Sequence, residues 1–500
     1  LFGLIGIELG TFGPNFLQAM GDRTFGILSN ELLLAIPFFT FMGAILEKCG
    51  LAEDMLESMG QLFGPVKGGL GYSTIIVGFI LGAITGTVAA QVIAMAMITL
   101  PVMLRYKYDM RYATGVLAAA GTITQLVPPS LVLIVLADQL GRSVGDMYLG
   151  AWGPSLLQIA LFAAYTFYLT IVKPDALPPV PRTLFGMPLL IKCAWGIIPA
   201  AILIFLVLGT IMMGLATPTE AGAMGTIGAI VLAVVRNAPL TRFDKWMFGA
   251  GCVAAIVGAL IGIVAFKSVG FRIAFTIMFA SVVWLCWRAW AVKELRDLIV
   301  QAFQATMRIT AMVAFILVGA TCFSITFQGV DGNQWVEHLM SNLPGGIWGF
   351  LIVVNLFVFF LAFFLDFFEI AFIIVPMLAP VAQKLLTPAV GADAALIWFG
   401  VMLCVNVQTS FMHPPFGFAL FYLRSVAPKE VKSSDIYWGS IPWVLLQLIM
   451  VAIVIFVPQT VTIFLDKPSG VDPTKVKIEI QSPSTDDAPP PIFGTPPPKN

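Results

Sequence analysis

Charged residues are scarce in this chain of 500 residues. Asp, Glu, Lys and Arg make up 11% of the chain, while hydrophobic residues make up 59%. Soluble domains carry roughly 25% charged residues. Lys plus Arg equals Asp plus Glu at 27 each, so no excess of either sign indicates a nucleic-acid partner. This composition excludes an ordinary soluble fold and indicates a lipid bilayer as the environment.

Histidines are also few, and paired cysteines and catalytic motifs are lacking. The chain has only two histidines, and its six cysteines show no spacing typical of a disulfide framework or a zinc site. It contains no P-loop, no GxSxG elbow, no HExxH motif and no dinucleotide-binding fingerprint. We therefore expect no enzyme and no cofactor. Energy for any transport would have to come from an ion gradient or from a partner.

Apolar runs long enough to cross a bilayer, which takes about 20 residues, recur along the chain. Three further runs are too long for one span and are interrupted by Gly, Pro or polar residues: 70–104, 347–383 and 395–423. The pattern predicts an all-α polytopic membrane protein. The clear single spans are 113–137, 150–172, 194–214, 217–235, 247–266, 309–328 and 438–463.

The chain ends differ from the rest. Leu1 opens the sequence inside an apolar run, so we expect further natural sequence before it, and no intact signal peptide is recognisable. After the last span the composition changes to Pro, Ser, Thr and charged residues, which is typical of disorder. We expect residues 1–465 to form the membrane domain and residues 466–500 to be a disordered Pro-rich tail.

Two stretches of the sequence resemble one another. Residues 119–129 and 405–415 each run from small and polar residues into a Pro-Pro pair that precedes an apolar helix. Each looks like a helix broken in mid-membrane. Upstream of each lies a candidate re-entrant hairpin with a polar tip, at 82–101 and at 364–380. These features predict two repeats, at about 30–172 and 309–437.

The charges of the loops indicate that the two repeats are inverted. The first hairpin is followed by a loop with Arg105, Lys107 and Arg111, whereas the loop at 384–393 has one charge of each sign. After the Pro-Pro helix the asymmetry reverses. The loop at 424–432 in the second half is basic, whereas the corresponding loop at 138–146 in the first half is slightly acidic. Basic loops face the cytoplasm. Inverted repeats with broken helices are typical of secondary transporters that bind substrate and ions near the midplane.

Polar residues at the first hairpin tip and the first break are candidate ligands. Hydroxyl and carbonyl oxygens bind hard cations, and helix ends at a break present free carbonyl and N–H groups. The alternative is ordinary packing of small residues between helices. The candidates for sodium and substrate binding in this half are Thr85, Gly86, Thr87, Gly121, Thr122 and Thr124.

The second half supplies two carboxylates. Asp366 and Glu369 lie in a run that is otherwise apolar from 348 to 378, and ionisable residues at membrane depth are costly enough to indicate a function. The alternative for Asp366 is a cap on the helix that follows it. The candidates for sodium and substrate binding in this half are Asp366, Glu369, Asn406, Thr409 and Ser410, with Gln408 beside them.

Two other polar residues are interpreted as structural. His413 precedes Pro414, where it can sense pH or contact substrate, but a lone histidine more often makes structural hydrogen bonds. Glu220 follows Thr217 and Pro218 at the start of a span, and this pattern predicts a helix cap.

Taken together in this order, several segments resemble the large, DctM-type membrane subunit of the tripartite ATP-independent periplasmic (TRAP) transporters. The resemblance covers about 30–237 and 291–465. It implies an elevator-type fold similar to the ion-transporter superfamily, in the inner membrane of a bacterium. The segments that carry it are 37–48, 121–130, 218–221, 365–366 with 376–380, and Asn406 with 414–417.

The resemblance also implies a function. It implies sodium-coupled import of a small organic acid, with sodium as the coupling ion. It implies two partners, a small four-helix membrane subunit of the DctQ type and a periplasmic solute-binding protein. Carried over by position, the tips 85–88 and 365–369 and the breaks 121–124 and 406–410 become the sodium and substrate region.

The sequence departs from the family pattern at three places. The first tip reads Thr-Gly-Thr-Val where serines are usual, and His413 stands where threonine is commoner. Residues from about 243 to 290 look like an inserted helix pair. Two alternatives stay open: a carrier that is proton-coupled or needs no binding protein, and a membrane scaffold subunit that transports nothing.

Overall fold

The computed structural model describes residues 2–13, 16–265, 269–413 and 417–465. All regular structure in these residues is helical. Ten of the described helices are long and apolar enough to cross a membrane. The prediction of an all-α polytopic membrane protein is therefore confirmed, while the predicted tail at 466–500 lies outside the described residues.

The first half contains nine α-helices. Short 3-10 turns lie at Phe16–Gln18, Ile123–Gln125 and Pro174–Ala176. The α-helices are α1 (Phe2–Glu8), α2 (Ala19–Leu28), α3 (Glu31–Lys48), α4 (Leu51–Phe63), α5 (Gly69–Thr85), α6 (Val88–Arg105), α7 (Met110–Thr122), α8 (Leu131–Gln139) and α9 (Val144–Val172).

The middle of the chain adds seven helices, and the second half adds seven more. The middle contains α10 (Met187–Ile204), a π-helical turn (Phe205–Gly209), α11 (Thr210–Met212), α12 (Pro218–Asn237), α13 (Arg242–Ala265), α14 (Val269–Ala291), α15 (Lys293–Gly329) and α16 (Gly332–Ser341). The second half contains α17 (Gly346–Leu361), α18 (Phe367–Glu369), a π-helical turn (Ile370–Ile374), α19 (Val375–Val390), α20 (Ala392–Val407), a 3-10 turn (Gln408–Met412), α21 (Phe418–Val426), α22 (Ser433–Phe456) and α23 (Gln459–Thr462).

The helices are interrupted at residues whose local chemistry disfavours a continuous helix. Between α5 and α6, Gly86 adopts a left-handed conformation with φ of 64°, which favours glycine. The break between α7 and α8 contains Pro128 and Pro129, which lack the N–H that a continuing helix needs. The new helix starts after Ser130, whose hydroxyl accepts a hydrogen bond from the Val132 amide at 3.1 Å. The predicted breaks of the first repeat are confirmed.

The second half has the same order of elements. The helix α17 ends at Leu361, and a short turn leads to Asp366 and the α18–α19 segment. The helix α20 then passes through its 3-10 turn to His413, which is extended. Residues 414–416, which include the predicted Pro-Pro pair, lie outside the described residues. Both halves thus contain two helices joined at a tight turn and followed by a broken helix, while their inverted orientation stays a prediction.

The two halves pack into each other. The 3-10 turn of the second break contacts α7, α8 packs against α20, and α21 packs against α6. Helix α22 lies against both α7 and α20. Elsewhere, α3 packs against α12 and α15, and α13 pairs with α14. The breaks of both halves therefore meet in one buried region.

The pair α13 and α14, which falls in the predicted insertion, is tied together by a buried carboxylate. Asp244 accepts hydrogen bonds from Trp284 Nε1 at 3.0 Å, from Arg288 Nε at 3.2 Å and from the Thr241 amide at 2.9 Å. Removing the Asp244 carboxylate leaves these three donors without their acceptor. This contact accounts for the packing of the pair and assigns it no function.

Asp244→Ala is expected to destabilise the protein by about 2 kcal/mol, since hydrogen bonds to a charged group contribute about 1.5–3 kcal/mol. Thermal unfolding of the purified protein in detergent measures the effect. The matched control is Asp297→Ala, because Asp297 is exposed on the next helix. Equal unfolding temperatures for both variants would show that the cluster does not hold the helix pair.

Candidate functional site

A cluster of uncharged oxygens lies between the first hairpin tip and the first break. The Thr85 hydroxyl oxygen is 3.4 Å from the Thr124 hydroxyl oxygen and 3.3 Å from Gln91 Oε1. The Thr124 hydroxyl also contacts Gln91 Oε1 and lies 3.2 Å from the Gly82 carbonyl oxygen. All three side chains are buried. Oxygens of this kind bind hard cations.

The other candidates of the first half lie around this cluster. Gly86 forms the turn at the tip, and Thr87 follows it in an extended conformation. Gly121 packs closely against Val92 on α6. The hydroxyl of Thr122 points elsewhere, because it donates to the Ala119 carbonyl at 2.9 Å and accepts from Gln447 at 3.0 Å. The structure thus brings Thr85 and Thr124 together and places Thr122 against α22.

A cavity of about 220 Å³ lies at the second hairpin tip. Asp366, Glu369 and Ser410 line it, and no Lys, Arg or His is among its lining residues. Asp366 Oδ1, Glu369 Oε2 and Ser410 Oγ are buried and have no hydrogen-bond partner among the described residues. Buried polar atoms are normally paired. Three unpaired oxygens at one cavity, two of them from carboxylates, fit a cation as the missing partner.

Phenylalanine rings, together with Ala362 and Leu365, form the rest of this cavity. Apolar walls lower the local dielectric, and this strengthens the attraction between a carboxylate and a cation. The aromatic lining residues are Phe363, Phe364, Phe418 and Phe421.

Asp366 does not act as an ordinary helix cap. It stands at the N-cap position before α18 with an extended backbone, φ −75° and ψ 169°. Its side chain nevertheless makes no cap hydrogen bond. A capping role for Asp366 predicts a cap hydrogen bond, and this bond is absent. The carboxylate faces the cavity instead.

Asn406 links the second break to the second hairpin. Its Nδ2 donates to the Asn355 carbonyl at 2.7 Å and lies 3.1 Å from Asn355 Oδ1. The Asn406 carbonyl accepts from the Thr409 hydroxyl at 2.7 Å. Asn406 Oδ1 is buried without a partner among the described residues. The break is therefore held against α17, and the Asn406 amide oxygen is left without a partner among the described residues.

The interpretation of His413 as a hydrogen-bonded structural residue is wrong. Its ring is buried, and neither nitrogen has a hydrogen-bond partner among the described residues. The ring stacks on Phe363 at a centroid distance of 4.3 Å and meets Phe359 edge-on at 4.4 Å. Because Phe363 also lines the cavity, His413 lies directly behind the cavity wall.

The cap predicted at Glu220 is confirmed. Its carboxylate accepts a hydrogen bond from the Thr217 amide at 2.8 Å, and its own amide lies 3.3 Å from the Thr217 hydroxyl. This reciprocal pair is a capping box at the start of α12.

Sequence reasoning missed two residues at these clusters. Gln91 contacts both threonines of the first cluster, and Asn355 holds Asn406. Each is the single amide side chain of a largely apolar helix. The cost of burying an amide inside a membrane is the one signal that would have found them.

Comparison with known proteins identifies the family. The family described as "Tripartite ATP-independent periplasmic transporter, DctM component" matches residues 3–279 and 241–460. The C4-dicarboxylate TRAP transporter large permease protein DctM of Pseudomonas aeruginosa is 24% identical over 451 residues, which is 89% of each chain. The sialic acid TRAP transporter large permease protein SiaM of Vibrio cholerae is 24% identical over 447 residues, covering 89% of this chain and 88% of the relative.

One solved structure is similar at a lower level. The YdaH transporter of Alcanivorax borkumensis aligns with a TM-score of 0.43 and 14% identity, covering 89% of this chain and 87% of that one. No conclusion rests on this similarity. The family match extends over most of the chain and confirms the resemblance seen in the sequence. This multi-pass protein of the bacterial inner membrane belongs to the DctM family, the large permease subunits of the tripartite ATP-independent periplasmic transporters.

Proposed function

We propose that this chain is the permease of a sodium-coupled secondary transporter that imports a small organic acid. The observation that carries the proposal is a set of buried oxygens at the second hairpin tip, from Asp366, Glu369 and Ser410, that have no hydrogen-bond partner in the part of the chain that the structure describes. Relatives named for C4-dicarboxylates and for sialic acid support an acid as substrate.

The two clusters differ in charge. The first cluster consists of hydroxyl, amide and carbonyl oxygens, whereas the second contains two carboxylates and, among the described lining residues, no basic side chain. A substrate carboxylate placed beside Asp366 and Glu369 would be repelled unless cations screened the charge. This makes the binding of acid depend on bound cation, which is the thermodynamic basis of symport.

The partners follow from the family. A tripartite periplasmic transporter combines this large subunit with two further components. We propose that these are a small four-helix membrane subunit of the DctQ type and a soluble solute-binding protein that delivers the acid from the periplasm. The sodium gradient would then make net import favourable.

One observation also favours a second function, a proton-coupled carrier. Asp366 and Glu369 line the same cavity, where the described lining residues include no basic side chain, and two neighbouring carboxylates often share a proton. Such a carrier would use a proton where the main proposal uses sodium. The two candidates predict different responses to sodium and to pH gradients.

Uptake by proteoliposomes tests the proposal. Vesicles would hold this chain with its small subunit, and the outside solution would contain the binding protein with a C4-dicarboxylate or sialic acid. We expect uptake with an inward sodium gradient, and less than a tenth of it when potassium replaces sodium. Sodium alone should also raise the unfolding temperature of the purified permease, because a ligand that binds only the folded state stabilises it.

The other outcomes separate the alternatives. Uptake that ignores sodium and follows an inward proton gradient would establish the proton-coupled carrier. Full uptake without the binding protein would contradict the tripartite mechanism. No uptake of any acid, together with no effect of sodium on the unfolding temperature, would indicate a scaffold subunit that transports nothing.

A further inference from the structure

Gln91 is a buried amide in the second arm of the first hairpin. It lies in α6, close to the hairpin tip, and its side chain is 1% exposed. Burying an uncompensated amide is costly, so the position needs partners for the carbonyl oxygen and for both N–H groups.

Every polar atom of this side chain has a partner. Its Nε2 donates to the Gly78 carbonyl at 2.6 Å and to the Ala120 carbonyl at 3.0 Å. Its Oε1 accepts from the Thr124 hydroxyl and lies 3.3 Å from the Thr85 hydroxyl. The two backbone carbonyls are acceptors only, so the NH₂ group of Gln91 must face them. The amide oxygen of Gln91 therefore faces the threonines.

These contacts join three elements. Gly78 belongs to α5, Gln91 to α6 and Ala120 to α7, so one side chain fastens both arms of the hairpin to the broken helix. Gly78 makes this possible, because a methyl group in its place would press on Ala120. The positions of Thr85 and Thr124 relative to each other therefore depend on Gln91.

The Thr85 hydroxyl lies farther from its two neighbouring side-chain oxygens than an ordinary hydrogen bond allows. The separations of 3.4 Å and 3.3 Å from the Thr85 hydroxyl exceed the usual O–H···O distance of about 2.7–2.8 Å. Oxygens at right angles around a hard cation, with metal–oxygen distances of about 2.3–2.6 Å, are about 3.3–3.7 Å apart. The two separations from the Thr85 hydroxyl therefore match the spacing around a cation, whereas the Thr124 hydroxyl is bonded directly to Gln91 Oε1.

We propose that Gln91 is a positioning residue for sodium coupling, which holds Thr85 and Thr124 at the spacing that a cation requires. This inference rests on the proposed function and deepens it. A purely structural role would make Gln91 important for folding and indifferent to sodium.

The test replaces Gln91 by leucine and, separately, by methionine, which keeps nearly the same length without hydrogen bonds. The readouts are the sodium concentration that gives half-maximal uptake, the substrate concentration that does so at saturating sodium, and the sodium-induced rise in unfolding temperature. We expect the half-maximal sodium concentration to rise at least tenfold, while the value for the substrate changes less than twofold. The sodium-induced stabilisation should shrink in parallel.

Gln158→Leu is the matched control. Gln158 is also fully buried, and its amide atoms have no hydrogen-bond partner among the described residues. This control should leave the sodium dependence unchanged. It shows whether loss of any buried glutamine disturbs transport.

Four outcomes would overturn the inference. An unchanged half-maximal sodium concentration with a lower maximal rate would make Gln91 structural only. The same conclusion holds if neither Gln91 variant accumulates as folded protein while Gln158→Leu does. If wild-type uptake and stability ignore sodium, the proposed function and this inference fail together, whereas a sodium-dependent wild type with unaffected variants sinks only the inference.

Discussion

Asp366→Asn is expected to reduce sodium-driven uptake at least tenfold and up to about a hundredfold. The substitution keeps the size and shape of the side chain but removes its charge. The carboxylate lines the cavity, and its Oδ1 has no partner among the described residues. Charge-assisted contacts contribute about 1.5–3 kcal/mol, which corresponds to about 10- to 100-fold in cation affinity.

The measurement is uptake over a series of sodium concentrations, with the folding of the variant checked by its unfolding temperature. Asp393→Asn serves as the control, because that carboxylate is 84% exposed and lies 3.6 Å from Arg142 in a surface ion pair. Surface pairs contribute little. The control should transport normally.

Two other outcomes for Asp366→Asn would change the role assigned to this residue. An Asp366→Asn variant with normal uptake and normal sodium dependence would remove Asp366 from the site without affecting the family assignment. Loss of sodium dependence together with retained uptake would indicate that the acid binds elsewhere and that Asp366 serves coupling alone.

Gly43→Val is expected to abolish uptake, and Gly43→Ala to reduce it about tenfold. Gly43 lies in α3, and a methyl group at this position would overlap the Thr85 carbonyl at the tip of the first hairpin. Overpacking of this kind costs about 1–3 kcal/mol. Since the obstacle is backbone, the hairpin tip itself must move away from α3, and with it the Thr85 hydroxyl.

The helix itself would gain from Gly43→Ala, because alanine favours a helix over glycine by about 1 kcal/mol. A loss of transport would therefore reflect the displaced hairpin. Gly319→Ala provides the matched control, since Gly319 also lies in a membrane helix, α15, and has open space where a side chain would lie. Uptake rates and unfolding temperatures of the three variants decide the question. Normal uptake by Gly43→Ala would show that the tip tolerates displacement.

The breaks in the helices were predictable because their causes are local. Gly86 allows a left-handed turn, and the Pro128–Pro129 pair interrupts helical hydrogen bonding. Asp366 was identifiable for a similar reason, because a carboxylate in an apolar run has a large desolvation cost wherever it lies. None of these inferences needed knowledge of a neighbouring helix.

The partners of the polar residues were not predictable. Thr85 and Thr124 are 39 residues apart, and Asn355 and Asn406 are 51 apart. Gln91 and Asn355 were missed because a single amide in an apolar helix does not indicate which side of the bundle it faces. Thr122 was grouped with Thr124, yet its hydroxyl bonds within α7 and to Gln447 on α22.

The sequence by itself determined that this is a multi-pass helical membrane protein with a broken helix in each half, and its motifs indicated the DctM family. The effects of composition, helix-breaking residues and isolated charges are local, extending over a few residues along the chain. They can therefore be recognised from the sequence alone. Only the tertiary structure decided that Gln91 joins two threonines and that Asp366, Glu369 and Ser410 share a cavity. Such contacts depend on how separate helices rotate and pack, and that is fixed by the many weak contacts of the whole bundle.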